Sequence, residues 1–469
     1  MADGQIKFYY KNVMADVIGS ADGITTAQLN ELEQKTIPVI SQINQERKEG
    51  KTPYRDLPYK DDSVKEVKEL VSELKDGCEN LVVLGIGGSA LGNIALQTSL
   101  NPYMYNIDDG QRKGPRLFIF DNVDPVQLSS FLNWVGDKVD KTIFNVISKS
   151  GRTAETASQF LIVRKMLLDK LGSDGLKSHV VATTDAKQGT LRQIATEAGL
   201  RTLTVPDGVG GRFSVLSDVG LFSAAMCGID IESLLAGAKD MDSKVSSGDF
   251  YKNPAAINAA INYYYYNHGK RNSVMMPYSY ALKDLADWYR QLWAESLGKA
   301  SDLGGNEVHI GPTPIKALGT TDQHSQVQLY REGPNDKIFT FLEVKEFSDD
   351  LTIAEAPDCA PELNFLAGSK MSKLINSEKK ATEYALLQDK RPCMTVLFDK
   401  VTPYTIGGFI YLFEVTTSIA GALFNINTYD QPAVELGKEA AFALMGREGF
   451  EQLAQDILPL TEIDEDFLI

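Results

Sequence analysis

Apolar positions along the chain repeat with two different periods, and the alternation between them is the strongest organising signal. In residues 25–50, Leu29, Leu32, Ile37, Ile40 and Ile43 recur at roughly helical spacing, with Thr26 as a candidate cap, so a helix is predicted there. Residues 51–62 are polar, carry two prolines and read as a linker. Compact apolar runs then follow at 81–84, 116–120, 142–147, 179–182 and 202–205, separated by helical stretches such as 153–171 and 190–198. Strand–helix alternation of this kind predicts a parallel sheet covered on both faces.

A second series begins after a polar break at 244–253. Its strand candidates are 273–276, 308–310, 338–344 and 394–398, with helices at 280–297 and 406–425. The expected class is therefore α/β, with two sheet-and-helix units. The division predicted is a helical segment over 1–50, a first domain over 51–245, a second over 246–425, and a helical tail over 426–469. The run of four tyrosines at 263–266 fits one packed helical turn.

A chain of 469 residues exceeds what one hydrophobic core usually organises, which agrees with two domains. The formal net charge of −16 argues against nucleic acid or an anionic membrane as partner. The most lipid-like stretch, 406–426, contains Gly407, Gly408, Glu414, Thr416, Thr417 and Asn425, and reads as a helix buried between other elements. The first residues show no secretory pattern, and the four cysteines form no paired motif; both fit a cytoplasmic protein with reduced thiols. Neither the cysteines nor the four histidines have metal-site spacing, so no metal and no cofactor are expected.

Several strand-to-helix junctions carry candidate chemistry. The first apolar strand runs into Gly85-Ile86-Gly87-Gly88-Ser89, where backbone amides can approach an anion closely. This loop also fits a dinucleotide fingerprint, but that reading needs an acidic residue about 20 positions on at the end of the second strand, and Asp121, which ends it, lies 36 residues after Gly85. The third strand runs into Ser148-Lys149-Ser150-Gly151-Arg152-Thr153, three hydroxyls at a helix start. Either a phosphate or ordinary helix capping would explain them, and three where capping needs one favours phosphate. Gly210-Gly211-Arg212 sets a permanent cation on a backbone that can come close to a ligand. In the second half, Gln291 and Glu295 stand four apart on one helical face that Gly298 would end. His324 falls in a polar, loop-like run, and Gln431 and Lys438 stand two helical turns apart at the start of the tail.

Six of these segments in one order, G-I-G-G-S, S-K-S-x-x-T, G-G-R-F-S, Q-x-x-x-E-S-x-G-K, D-Q-H-S and D-Q-x-x-V-E-x-x-K, resemble the glucose-6-phosphate isomerase family over residues 81–438. The resemblance implies two domains of the sugar-isomerase (SIS) type, each a parallel sheet sandwiched by helices, and a homodimer with shared active sites. It implies that Ser148, Lys149, Ser150 and Thr153 hold a sugar phosphate, and that Gly88, Ser89 and Gly211 line the sugar. Glu295 resembles the base that moves a proton between C1 and C2, Arg212 the cation that stabilises the enediolate, and Gln291 a positioning group. His324 resembles the residue that assists ring opening, with Lys438 and Gln431 at the same end. Two positions depart from the family pattern: Arg152 stands where a small or hydroxyl residue is common, and Ala433 replaces a frequent glycine. A broader isomerase that also accepts mannose 6-phosphate, a non-catalytic sugar-phosphate sensor and a dehydrogenase are the competing readings. A sensor has no need of Glu295, His324 and Lys438 together, and only the glycine loop supports a dehydrogenase.

Overall fold

The computed structural model describes residues 4–469, which divide into two compact units at the junction of Thr428 and Tyr429. The larger unit begins with strand β1 (Ile6–Tyr9) and the long helix Thr26–Lys48. That helix is capped by Thr25, one residue earlier than expected: the Thr25 side chain accepts from the Gln28 amide and Gln28 reaches back to the Thr25 amide.

Strands β2 (Asn80–Leu84), β3 (Arg116–Phe120), β4 (Thr142–Ile147), β5 (Val180–Thr184) and β6 (Arg201–Thr204) form a wholly parallel sheet in the order β3-β2-β4-β5-β6. Val82, Leu84, Phe144, Val146 and Ala182 are buried in one cluster with Phe131, Phe160, Val163, Leu167 and Leu191 from the covering helices. Burial on both faces explains why these strands read as continuous apolar runs. His179 ends a helix, Ala154–His179, that resumes after a break at Gly172, so β5 starts one residue later than the apolar pattern suggests.

The second sheet uses β7 (Asn272–Pro277), β10 (Thr313–Lys316), β11 (Lys337–Glu346) and β12 (Cys393–Lys400) in the order β12-β11-β7-β10, all parallel. β1 closes its edge antiparallel to β12, pairing Ile6 with Phe398. The expected strand at 308–310 lies outside this sheet. β8 (Lys299–Ser301) and β9 (Glu307–Ile310) make a separate antiparallel pair, and the sheet takes the neighbouring β10 instead.

The apolar stretch near 406–426 is the helix Pro403–Leu423, capped by Thr402, and nearly every residue in it is buried among other elements of the chain. It crosses Ile231–Val245 at backbone contact. A Cβ on Gly407 would stand 1.8 Å from the Leu234 carbonyl oxygen, and one on Gly237 would stand 1.8 Å from that of Tyr404. Within this helix both carboxylate oxygens of Glu414 are buried without a hydrogen-bond partner among the described residues, and burial pushes the carboxyl well above the ordinary range.

Residues 51–62 are not a solvated linker. Pro53–Tyr59 is a 3-10 helix whose Arg55 is fully buried, its guanidinium 3.1 Å from Asp242. Arg47 donates to both Asp242 oxygens at 2.9 and 2.7 Å, Tyr59 donates at 2.7 Å and Tyr411 at 2.8 Å. Desolvation alone would raise the Asp242 carboxyl; the donors from Arg47, Tyr59 and Tyr411 outweigh it and hold the group at about 2.

The smaller unit consists of helices Ala433–Leu444 and Glu451–Thr461, with Phe442 packed on Phe450 and Arg447 against both rings.

Candidate active site

The order of the first sheet fixes where a ligand can enter. β2 is followed in sequence by its neighbour on one side, β3, and then by its neighbour on the other, β4. The connections after β2 and β4 therefore leave in opposite directions and open a crevice beyond their carboxyl ends. β2 ends at Leu84, opposite Val146 of β4, so the glycine loop and the three-hydroxyl loop stand side by side at that crevice.

The glycine loop is folded tightly against two other segments. A Cβ on Gly88 would stand 2.1 Å from the Gly211 carbonyl carbon and 2.6 Å from the Arg212 amide, and one on Gly87 would stand 2.9 Å from Gln291 Nε2. Only a residue without a side chain permits that approach at Gly88. Gly87, Gly88, Gly211, Arg212 and Gln291, far apart in the sequence, thus share one place. Ser89 follows half-buried, its carbonyl accepting from Asn93.

Arg212 is the centre of this cluster. It is buried, and its guanidinium is held on three sides. Nε donates to Ser296 Oγ at 2.7 Å, Nη1 to Glu295 Oε1 at 3.2 Å and Nη2 to the Thr428 carbonyl at 2.8 Å. Glu295 is itself held from the other side, its Oε2 accepting from Gln291 Nε2 at 2.9 Å. Both carboxylate oxygens thus have fixed donors, while a quarter of the side-chain surface stays open to solvent.

The helix carrying them, Lys283–Leu297, buries Leu285, Trp288, Leu292 and Trp293 on its apolar stripe, which turns Gln291 and Glu295 to the half-open side. It stops at Leu297, where Lys299 Nζ donates to the carbonyls of Glu295 and Ser296 at 2.9 Å each. A carboxylate fixed beside a buried guanidinium is an arrangement suited to proton abstraction next to a developing oxyanion.

The loop at 148–153 bears on the capping alternative. Thr153 occupies the N-cap of the helix Ala154–His179, yet its side chain makes no capping hydrogen bond. Its hydroxyl instead faces Ser148 Oγ at 3.4 Å. Ser148 Oγ accepts from the Gly151 amide at 3.0 Å and Ser150 Oγ from the Arg152 amide at 3.2 Å, which folds the loop back on its own hydroxyls. Helix-start amides and hydroxyl donors together suit a dianion. Lys149 is exposed, 3.9 Å from Asp207.

The remaining expected residues are placed on other elements. His324 sits on the short helix Thr321–Ser325 beside the second sheet, exposed and without a hydrogen-bond partner among the described residues. Its neighbour Gln323 is fixed instead, accepting from Tyr278 at 3.0 Å and Thr382 at 2.9 Å. Gln431 and Lys438 belong to the smaller unit, where Lys438 pairs with Glu435 at 2.7 Å. Among the described residues, no group of three or more His, Cys, Asp or Glu side chains is arranged to hold a metal ion.

Sequence reading missed Ser296 and the Thr428 carbonyl as anchors of Arg212. Ser296 stood in the quoted motif beside Glu295, which was the signal available; its burial next to Arg212 appears only in the fold.

Comparison with known proteins gives concordant likenesses. The family described as Phosphoglucose isomerase matches residues 61–451. Glucose-6-phosphate isomerase of Carboxydothermus hydrogenoformans is 43% identical over 97% of each chain. That of Rubrobacter xylanophilus is 39% identical over 96% of this chain and 100% of its own. Among solved structures, a hypothetical protein of Thermus thermophilus superposes with a TM-score of 0.82 at 31% identity, covering 94% of this chain and 100% of that one. A glucose-6-phosphate isomerase from Chlamydia trachomatis shares the fold, with a TM-score of 0.71 at 23% identity over 86% of this chain and 77% of its own.

Proposed function

The chain belongs to the phosphoglucose isomerase family, and from that premise we propose that it interconverts glucose 6-phosphate and fructose 6-phosphate by moving one proton between C1 and C2 of the opened sugar. The observation that carries the reading is the convergence of Glu295, Arg212 and Gln291 beside the glycine loop. Glu295 takes the proton from C2 and returns it to C1 on the same face of a planar enediolate. Arg212, buried and permanently charged, stabilises the oxygen that becomes negative as the proton leaves. Gln291 holds the carboxylate in line, and Ser296 and the Thr428 carbonyl hold the guanidinium.

Ser148, Ser150 and Thr153, with the backbone around Lys149, bind the phosphate. Gly88, Ser89 and Gly211 border the sugar between the phosphate and the carboxylate. Binding energy gained at the phosphate, remote from the reacting carbons, fixes the substrate against Glu295. His324 opens the ring, acting across a homodimer into the partner's site, which accounts for its exposure in a single chain. Lys438 and Gln431 serve the same end of the substrate. The enzyme works in the cytoplasm, and its domains divide near residues 50, 245 and 425.

The test is isomerisation of glucose 6-phosphate by the purified protein in the presence of EDTA. Turnover to fructose 6-phosphate is expected. No turnover with a folded protein, or turnover only after a divalent ion is restored, overturns the reading.

A further inference from the structure

We propose that the surface cavity beside the 148–153 loop is a second anion subsite, which extends the phosphate site to condensed phosphate chains of two or more phosphoryl groups. The proposal rests on the reading of that loop as the phosphate site.

Three observations point to it. The cavity, of roughly 580 Å³, is lined by Arg152, Lys187 and Arg192, against one carboxylate, Glu197. Three cations to one anion is a local reversal on a chain whose net charge is −16. The Glu197 carboxylate also accepts from Gln193 at 2.9 Å, which occupies part of its acceptor capacity. The neighbouring Asp185 does not line the cavity, and its Oδ1 accepts the amides of Lys187 and Gln188 at 2.8 and 3.0 Å, though its charge is close enough to be felt by Arg192 and Lys149.

The cations are also uncommitted. Arg152 and Lys187 make no side-chain hydrogen bond or ion pair among the described residues. Arg192 uses only Nε, on the Asp185 carbonyl at 2.7 Å, which leaves the rest of its fork to face a ligand.

Finally, the cavity is continuous with the loop. Arg152 belongs to both, and the Thr190 amide donates to the Ser150 carbonyl at 3.0 Å. The Thr184 hydroxyl donates to the carbonyls of Ser148 and Lys149 at 2.8 and 3.2 Å. The cavity follows β5 and the loop follows β4, so it lies on the side of the loop away from β2 and the carboxylate. A ligand that fills both sites therefore extends from the phosphate away from Glu295. That geometry suits a phosphoanhydride chain, one phosphoryl group among the three hydroxyls and the next among the three cations. It does not suit a second phosphate at the far end of a sugar. Arg152, the residue that departs from the family pattern, gains a purpose from this reading.

Inhibition of isomerisation by inorganic phosphate and by tripolyphosphate, in EDTA at fixed ionic strength, tests the subsite. In the wild-type enzyme tripolyphosphate is expected to compete with glucose 6-phosphate and to bind more tightly than phosphate. In Lys187→Gln with Arg192→Gln, tripolyphosphate should weaken about tenfold while phosphate inhibition and KM stay within about twofold, the scale of two charge-assisted contacts at a half-open surface. Arg152→Ser, which leaves the Arg192 anchor intact, should move tripolyphosphate in the same direction. A ratio of the two inhibition constants that is unchanged in both variants overturns the subsite. Unchanged phosphate inhibition in Ser148→Ala with Thr153→Ala overturns the loop instead, so the two readings fail separately.

Discussion

Replacing Arg212 by lysine keeps the positive charge but removes the fork that fixes it. The guanidinium has three fixed partners, Ser296 Oγ, Glu295 Oε1 and the Thr428 carbonyl, at 2.7, 3.2 and 2.8 Å from three different nitrogens. An ammonium group presents its donors from a single nitrogen and cannot stand where three separate guanidinium nitrogens stand, so acceptors among the three lose a charged donor. Each such hydrogen bond is worth about 1.5–3 kcal/mol. What reaches the rate is the displacement of the charge from the developing oxyanion, where loss of one preorganised donor costs about 10²–10³ in kcat, or about 3–4 kcal/mol. KM should change little if, as proposed, the phosphate is held by the 148–153 loop. Ser296→Ala provides the graded control: it frees only Nε, so its kcat should fall by no more than about 10- to 100-fold. Steady-state kinetics in both directions, with inhibition by a non-isomerisable phosphorylated sugar alcohol as the binding readout, separate the two effects. A kcat for Arg212→Lys within tenfold of wild type, or a loss confined to KM, would refute the assignment of Arg212 to the transition state.

Further outcomes follow from other parts of the molecule. Ser148→Ala with Thr153→Ala should weaken phosphorylated inhibitors by about 10- to 100-fold, two charge-assisted hydrogen bonds, with an unchanged urea midpoint, since neither hydroxyl caps its helix; unchanged inhibition sinks the loop assignment. Asp242 lies at about 2 in the folded chain against 3.8 ordinarily, so its contribution, about 2.5 kcal/mol, is present above pH 4 and lost as pH falls toward 2. Asp242→Asn should therefore destabilise the protein at pH 7 by about 3–5 kcal/mol, as buried Arg55 loses its carboxylate, and flatten the acid limb of the stability curve; equal urea midpoints at pH 7 count against it. Mixed dimers of Glu295→Gln and His324→Ala, each inactive alone, should regain about half of wild-type activity if His324 acts across the interface and the sites are independent. Mixed dimers as inactive as their parents place His324 elsewhere.

How much of this was legible in the sequence depended on whether a residue's partners were local. The three central strands of the first sheet, β2, β4 and β5, are buried on both faces, and the ends of all five strands could be read to within two residues. β1 was missed because its partner, Phe398, is nearly 400 positions away and Ile6 alone is buried in it. β10 contains Pro314, which masks a strand, whereas Val308 and Ile310 are β-branched and attracted the assignment although they belong to an exposed pair. Residues 51–62 looked like a linker because charge normally means solvent, and nothing local says that Arg55 meets Asp242 in the interior. The site shows the same division. The shared helical face of Glu295 and Gln291 and the three hydroxyls at a helix start were legible from spacing, but the role proposed for Glu295 came from the family resemblance, since a carboxylate at that spacing is as readily solvated. That Arg212 would reach Glu295 needed the close approach of Gly88 to Gly211, a contact between two loops far apart in the chain.

Hydrogen exchange at C2 of glucose 6-phosphate in deuterated water, followed by NMR for wild type and Glu295→Gln, goes most directly to the central claim that Glu295 carries the proton. Wild-type protein should exchange C2 hydrogen with solvent during isomerisation. In Glu295→Gln exchange and isomerisation should fall together, by at least the roughly 10²–10⁴-fold of a positioned general base, with inhibitor binding retained. Exchange at near-normal rate in the variant would contradict the account, because another group would then be moving the proton.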